Sequence, residues 1–447
     1  MDVRRHVTGR LRQLAAFGLA CAMSACASAS KVPALTPDER TLEVASFDYV
    51  WSTVRDKHFD PALAGLDWDA VRRELRPRVE RAGTRDQVRD ILWELVGRFK
   101  QSHFQILPAD LYEPEAAGST GTAAGTPGVD ARVIGGLALV TSVTPGSPAG
   151  IAGVAAGWEI LQIGDVDVRR RVREMSKKYA SHRDRDTLLS GSLRFALAGP
   201  VGRPVAVSFR DGRGSTRRLT LDRAPQDGWM SRPFGHIPAV PVSFRSRRID
   251  GQTGYVAFNV FLDPGRLMPR FNEAIASFHD ADGVVVDLRG NTGGIGDMLA
   301  GMAGWFISSK GTSMGTMITR AGSLKLAVLP RPSPFTGPVA VLVDELSMSA
   351  SEVLAQGLKD AGRARVFGRR SAGAVLGSIV EKLPNGDGFQ YPTARFEFQS
   401  GTVVEGVGVI PDVEIRLTRD SLLAGRDAVL DAAVEWVRSG HVKGSRP

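Results

Sequence analysis

A chain of 447 residues with 43% hydrophobic content can bury a large core and divides into two or three domains, which excludes a disordered protein. Its formal charge of +9 comes from 57 basic residues scattered along the sequence without a zinc-finger, RNP or basic-helix pattern, so nucleic acid is not an expected partner. Both cysteines, Cys21 and Cys26, stand near the start, which leaves the remaining sequence without disulfide or thiol chemistry.

The opening residues place Arg4, Arg5, Arg10 and Arg12 ahead of a short apolar run ending in small residues. That is the order of a secretory signal peptide, and the run is too short for a permanent span. Met23, Ser24, Ala25 and Cys26 resemble a bacterial lipobox, with Met where Leu is more usual. Residues 1–26 are therefore read as a signal peptide with a lipobox, Cys26 as the lipidated first residue of the mature chain, and a membrane of the bacterial cell envelope as its partner. Cleavage at a nearby Ala-x-Ala step, releasing a protein to the periplasm, is the alternative.

Thr36 predicts an N-cap, with Pro37 at the first helical position and Asp38 and Glu39 in the first turn. Apolar residues at helical spacing run through FDYVWSTV, WDAVRREL and VRDILWELVGRF, giving an N-terminal helical segment over 36–115. AAGSTGTAAGTPG then reads as a flexible linker. Short strands take over across 132–223, where GGLALVTSV and TPGSPAGIAGVAAGWEILQIGDVDV resemble a PDZ domain, with Trp158 and Glu159 replacing the usual residues of one turn. The resemblance implies a peptide-binding loop of backbone N–H groups at Gly135, Gly136, Leu137 and Ala138. Beyond it, over 245–440, apolar strands such as DGVVVDLRG and GPVAVLVDE alternate with helices, which implies an α/β core with a mostly parallel sheet covered on both faces. A hairpin is expected at Asn385 and Gly386, a strand through Val403 and Val404, and an amphipathic helix over 419–438.

Three alternating serines, Ser347, Ser349 and Ser351, follow the strand VAVLV and open a helix. N–H groups at a helix start converge on one point, which suits oxyanion chemistry, but each serine taken alone is as readily a cap. No G-x-S-x-G elbow is present, so an α/β-hydrolase is not expected. No H-E-x-x-H, cysteine cluster or carboxylate loop appears, and RGNTGG lacks nucleotide-binding spacing, so neither a metal nor another cofactor is expected.

VLVDELSMSASEVLAQGLKDAGRARVFGRRSAGA, with VVVDLRGNTGG upstream and VVEGVGVIPDVEI downstream, resembles the carboxy-terminal processing protease family of serine peptidases. The resemblance implies an α/β fold with a crotonase-like catalytic core and an inserted PDZ-like β domain. It places the nucleophile on Ser349, and the oxyanion hole on Gly294, with Gly293 beside it, and the N–H of Ala350. The processing proteases proper use a lysine base about 25 residues after the serine; that position here is Ala374, and Lys359 and Lys382 read as solvated lysines. The tricorn-like branch instead uses a histidine directly preceded by a serine, and a glutamate ahead of a G-V-x-P-D run. Ser102, His103 and Glu405 match that pattern. The implied function is an exported serine endopeptidase acting on envelope or secreted proteins and peptides through an acyl-Ser349 intermediate, with activity falling below a pH of about 6 to 7. Loss of the family lysine leaves an alternative, a non-catalytic PDZ-containing lipoprotein that binds peptides or an apolar ligand.

Overall fold

The computed structural model describes residues 34–109, 124–178 and 185–442; the expected signal peptide and Cys26 lie outside them. The first helix, Pro37–Lys57, begins where Thr36 Oγ1 accepts the Glu39 N–H while the Glu39 carboxylate accepts the Thr36 N–H. This reciprocal capping box satisfies two donors at the helix end. Helices Trp68–Glu80 and Arg85–Gly97 follow, capped by Asp67 and Thr84. Their apolar faces meet around Phe47, Val50, Leu75, Leu92 and Leu95, and Leu383, Phe389 and Tyr391 from far along the chain complete that core.

The strand Gln105–Leu107 explains how the two halves meet. It pairs antiparallel with Gly388–Glu397, Gln105 opposite Gln390, in a five-stranded sheet that also holds Ser313–Thr319, Gly322–Ala327 and Gly377–Lys382. The loop just before it, with Ser102 and His103, is thereby carried to the second half of the chain.

That half is built on a six-stranded sheet in the order Phe244–Ile249, Thr253–Phe258, Gly283–Asp287, Val339–Val343, Arg365–Gly368 and Val413–Glu414, in which only the first pair is antiparallel. Successive side chains face opposite ways in a strand. Val284, Val286, Val339, Val341 and Val343 accordingly join the core under helices Pro264–Ser277, Asp297–Ala303 and Ala350–Asp360, while Val285, Ala340, Leu342 and Phe367 pack against Ala428–Val442. Burial on both faces accounts for the unbroken apolar runs in the sequence. The carboxyl ends of such strands are where ligands sit in parallel α/β sheets, and the turn containing Ser349 leaves from one of them.

A third core lies between these parts in the chain. Strands Val129–Ile134, Leu137–Val143, Glu159–Ile163, Val205–Arg210 and Thr216–Leu221 form an antiparallel sheet, packed with helices Val168–Lys178 and Arg185–Leu197. Several sequence expectations are corrected here. The linker contains a strand, Ala124–Thr126, paired with Gly199–Pro200 and Ala224–Pro225. The arginine-rich VRRRVREMSKK is a helix because Val168, Val172 and Met175 fall on one buried stripe. Gly135 and Gly136 (φ 58° and 78°) form the tip of a two-residue hairpin, with Ile134 paired to Leu137 and Val133 to Ala138. Left-handed backbone at both positions is what such a turn requires. The Gly135–Ala138 stretch is therefore a closed, paired turn and not the open loop expected for a peptide carboxylate. Val403 and Val404 form no strand, and the helix expected over 419–438 is broken into Arg419–Leu423 and Ala428–Val442 around Gly425 (φ 68°).

The β unit grips the α/β core through buried charge. Arg132 donates from Nε and Nη2 to Asp344 Oδ2 and from Nη1 to Asp130, and Asp344 Oδ1 accepts the N–H groups of Gly290 and Leu346. Ser190 Oγ donates to Glu345 Oε1, and Thr187 to the Glu345 carbonyl. Removing the cation would strand Asp344 in a buried site. Arg132→Met is expected to destabilise the protein by about 3–5 kcal/mol in urea unfolding. Adding Asp344→Asn should recover part of that loss, whereas purely additive costs would show that the two side chains are not coupled.

Candidate active site

Ser349 joins the strand Val339–Val343 to the helix Ala350–Asp360 with φ 57° and ψ −121°, a backbone that residues with a Cβ rarely adopt. Its neighbours impose that conformation. The Ser349 N–H lies 2.8 Å from the Ala374 carbonyl and 3.0 Å from Glu352 Oε2, and the Met348 N–H donates to the Asn291 carbonyl. The flanking serines are committed elsewhere: Ser347 Oγ donates to the Leu288 carbonyl and Ser351 Oγ to the Asn291 carbonyl, both buried. Ser349 Oγ instead faces His103 Nε2 at 3.2 Å.

Behind His103 the bonds continue. His103 Nδ1 is 2.8 Å from Ser102 Oγ, and Ser102 Oγ donates to Glu405 Oε2 at 3.0 Å. A hydroxyl has one hydrogen, so Ser102 must accept the His103 Nδ1–H, which leaves Nε2 bare to accept the Ser349 hydroxyl proton. Glu405 is held by the N–H groups of Ser102 at Oε1 and Val375 at Oε2, both at 2.9 Å. The His103 ring is half-buried, and loss of hydration pulls its pKa down to about 4, so the imidazole is neutral across the usual working range.

Glu352 is a second hub. Its buried carboxylate accepts from Ser371 Oγ at 2.5 Å and from the N–H groups of Gly373 at 2.7 Å, Ala374 at 2.8 Å and Ser349 at 3.0 Å. Burial raises its pKa to about 7 against the pull of these four donors. Ala374, at the position where the resembling family has its lysine, thus serves through its backbone alone. Lys359 is occupied by Asp412 and the Ile410 carbonyl, each at 2.8 Å, and Lys382 is exposed at the end of the strand Gly377–Lys382.

The N–H groups of Gly294 and Ala350 make no hydrogen bond with the described residues, which leaves both able to donate to an oxyanion. Gly293 is different, and its expected role as a donor is corrected: its N–H is spent on Asn291 Oδ1 at 2.9 Å. Glycine is required there for space, because a Cβ would lie 2.6 Å from Ser349 Cβ and 2.7 Å from the Met348 carbonyl, on backbone with φ 83°. Gly293→Ala should therefore lower kcat on a peptide substrate by roughly 10²-fold or more, comparable to losing an oxyanion donor. Wild-type kcat in that variant would show that the contact can relax at no cost to the site.

Residues 252–415 match the model of peptidase family S41, and residues 45–97 that of the tricorn protease C1 domain. The chain is 27% identical over 395 residues to the chloroplastic carboxyl-terminal-processing peptidase 2 of Arabidopsis thaliana, covering 83% of this chain and 68% of that one. It is 25% identical over 407 residues to tricorn protease homolog 1 of Streptomyces coelicolor, covering 87% of this chain but only 34% of the homolog. The chain belongs to the carboxy-terminal processing protease family of serine peptidases. In fold, this peptidase is similar to the photosystem II D1 C-terminal processing protease, with a TM-score of 0.53 at 22% identity over 87% of this chain and 98% of that one. The likeness to mature CPAF has a TM-score of 0.61 at 13% identity, covering 90% of this chain and 97% of the other.

Asn291 and Glu352 brace the site; in the sequence Glu352 reads only as a first-turn residue that favours the helix dipole and caps backbone N–H groups, which its bond to the Ser349 N–H matches. They act on backbone N–H and carbonyl groups, some a turn away and others far along the chain, and no local pattern encodes the distant ones. An asparagine within RGNTGG was the other visible hint, since short amides brace glycine-rich turns.

Proposed function

We propose that this serine peptidase cleaves peptide bonds through an acyl-Ser349 intermediate, with His103 as general base, Ser102 and Glu405 orienting it, and the N–H groups of Gly294 and Ala350 receiving the oxyanion. The observation that carries this reading is the unbroken chain from Ser349 Oγ through His103 and Ser102 to Glu405, at 3.2, 2.8 and 3.0 Å. As Ser349 Oγ attacks the carbonyl carbon, His103 Nε2 takes its proton, and the carbonyl oxygen gains negative charge facing the two free N–H groups. His103 then returns the proton to the leaving amine as the C–N bond breaks. Water, activated by the same imidazole, releases the acyl group. Glu405 offsets the positive charge on the imidazole through the Ser102 hydroxyl, without needing the proton itself.

The α/β core is read as crotonase-like and the β unit expected over 132–223 as PDZ-like, a six-stranded sheet with an outer strand, Val129–Ile134, beside the helix Arg185–Leu197. Substrates are read as envelope or secreted proteins cut near their carboxyl ends, by analogy with relatives named for carboxyl-terminal processing. Export and lipidation at Cys26 belong to the same reading. The rival, a peptide receptor without activity, is favoured by the missing lysine but leaves the assembled histidine chain without a purpose. A fluorophosphonate probe on purified protein decides between them: adduct on the Ser349 peptide by mass spectrometry, blocked by a competing peptide, is expected. Peptide binding without adduct or cleavage would establish the receptor.

A further inference from the structure

The loop that presents Ser102 and His103 is held against its own backbone preference. Lys100 (φ 53°) and His103 (φ 62°) both take left-handed conformations, at a cost of roughly 1–3 kcal/mol each for residues with a Cβ. Something must over-determine the loop. Its flanking residues Phe99 and Phe104 are buried, and their rings lie 4.9 and 6.0 Å from the imidazole of His58, which is fully buried at the end of the first helix. His58 Nδ1 meets the Asp60 N–H at 3.1 Å, and Nε2 meets Gln101 Oε1 at 2.8 Å. An acceptor oxygen at Nε2 requires the hydrogen there, so His58 donates to Gln101. The helix end is itself fixed, since Arg320 Nε donates to the His58 carbonyl at 2.5 Å and Arg320 Nη2 to the Arg55 carbonyl at 2.7 Å.

We propose that His58 is a positioning residue for the general base: through Gln101 it sets the backbone of the Ser102–His103 loop and hence the distance from His103 Nε2 to Ser349 Oγ. The inference rests on the reading of His103 as the base. His58 touches neither Ser349 nor His103 through a hydrogen bond; it acts on the residue just before Ser102. From there two ties converge on the loop, His58 on Gln101 and Glu405 on Ser102. With only the second, the loop could pivot about Ser102, and displacing a reacting atom by about 1 Å can cost on the order of 10² in rate.

Two variants test this. His58→Phe keeps a ring among Phe59, Phe99 and Phe104 and removes the donor, while Gln101→Met removes the acceptor without touching the helical core. Each should lower kcat on a peptide substrate by roughly 10–100-fold with KM within about twofold. His58→Gln, whose amide nitrogen can reach the place of Nε2, should recover most of the loss. NMR titration of the His103 imidazole needs no activity. Its value should move from about 4 toward the ordinary 6.5 in both variants as a loosened ring gains water. Unchanged kcat and unchanged His103 titration in both would overturn the proposal, and Gln101→Met alone decides if His58→Phe does not fold. If the wild-type protein is inert yet the His103 titration still moves, His58 holds the loop as proposed and it is the base reading that falls.

Discussion

Ser349→Ala should remove peptide hydrolysis and fluorophosphonate labelling together, with kcat reduced by roughly 10⁴–10⁶-fold, as for removal of one member of a cooperating catalytic unit. The fold should survive, because the Ser349 backbone bonds to Ala374 and Glu352 do not involve its hydroxyl. Ser347 and Ser351 provide the contrast. Their hydroxyls are buried and bonded to the carbonyls of Leu288 and Asn291, each of which keeps a backbone N–H donor as well, so alanine at either position removes one buried hydrogen bond and should destabilise by about 0.5–1.5 kcal/mol while leaving labelling measurable. Unfolding curves and labelling rates for the three variants therefore separate along different axes. Labelling of Ser349→Ala at the wild-type rate would place the nucleophile elsewhere and undo the register on which the site rests.

The parallel sheet was legible because its strands are buried on both faces, and a short continuous apolar run such as Val339–Val343, bounded by Pro338 and Asp344, suits such a strand better than a surface element. The first helix was legible from Thr36 through Glu39, since a capping box is local chemistry. Ser349 and His103 could be suspected only as family positions, because the 3.2 Å contact of His103 with Ser349 and the 3.0 Å contact of Ser102 with Glu405, on which the reading of His103 as a base rests, join residues far apart in the chain that a strand pairing across nearly three hundred residues brings together. Gly135 and Gly136 misled for a related reason. Two glycines permit an open N–H loop or a tight hairpin equally well, and which one forms is decided by whether Ile134 and Leu137 find each other as a pair. Arg132, Asp344 and Glu352 are charged residues that no local pattern marks for burial; only the partners each acquires make burial tolerable.

His103→Ala should be almost as inactive as Ser349→Ala, whereas Lys359→Ala and Lys382→Ala should stay within a few-fold of wild type, because Lys359 is held by Asp412 and the Ile410 carbonyl, Lys382 is exposed at the end of its strand, and Ser349 Oγ faces His103. Glu405→Gln should fall between, since it weakens the tie to Ser102 without removing the base. The pH dependence carries more information than the rates. A free-enzyme histidine near its ordinary value would put the acid limb of kcat/KM at about 6.5, but burial lowers His103 to about 4, so activity should persist well into acid. Stability should not. Between pH 6.5 and about 4 the unfolded chain binds a proton at His103 that the folded site refuses, so this residue makes the fold less stable as pH falls through that window. Glu352 works in the opposite sense: raised to about 7, it holds a proton in the folded state that the unfolded chain has lost above 4.5, so its contribution to stability declines as pH rises from 4.5 toward 7. Removing His103 should therefore flatten the acid side of the stability profile while leaving the neutral side unchanged. An active His103→Ala enzyme beside an inactive lysine variant would overturn the assignment, since the proton of Ser349 would then leave by a path that does not pass through the Ser102–Glu405 pair.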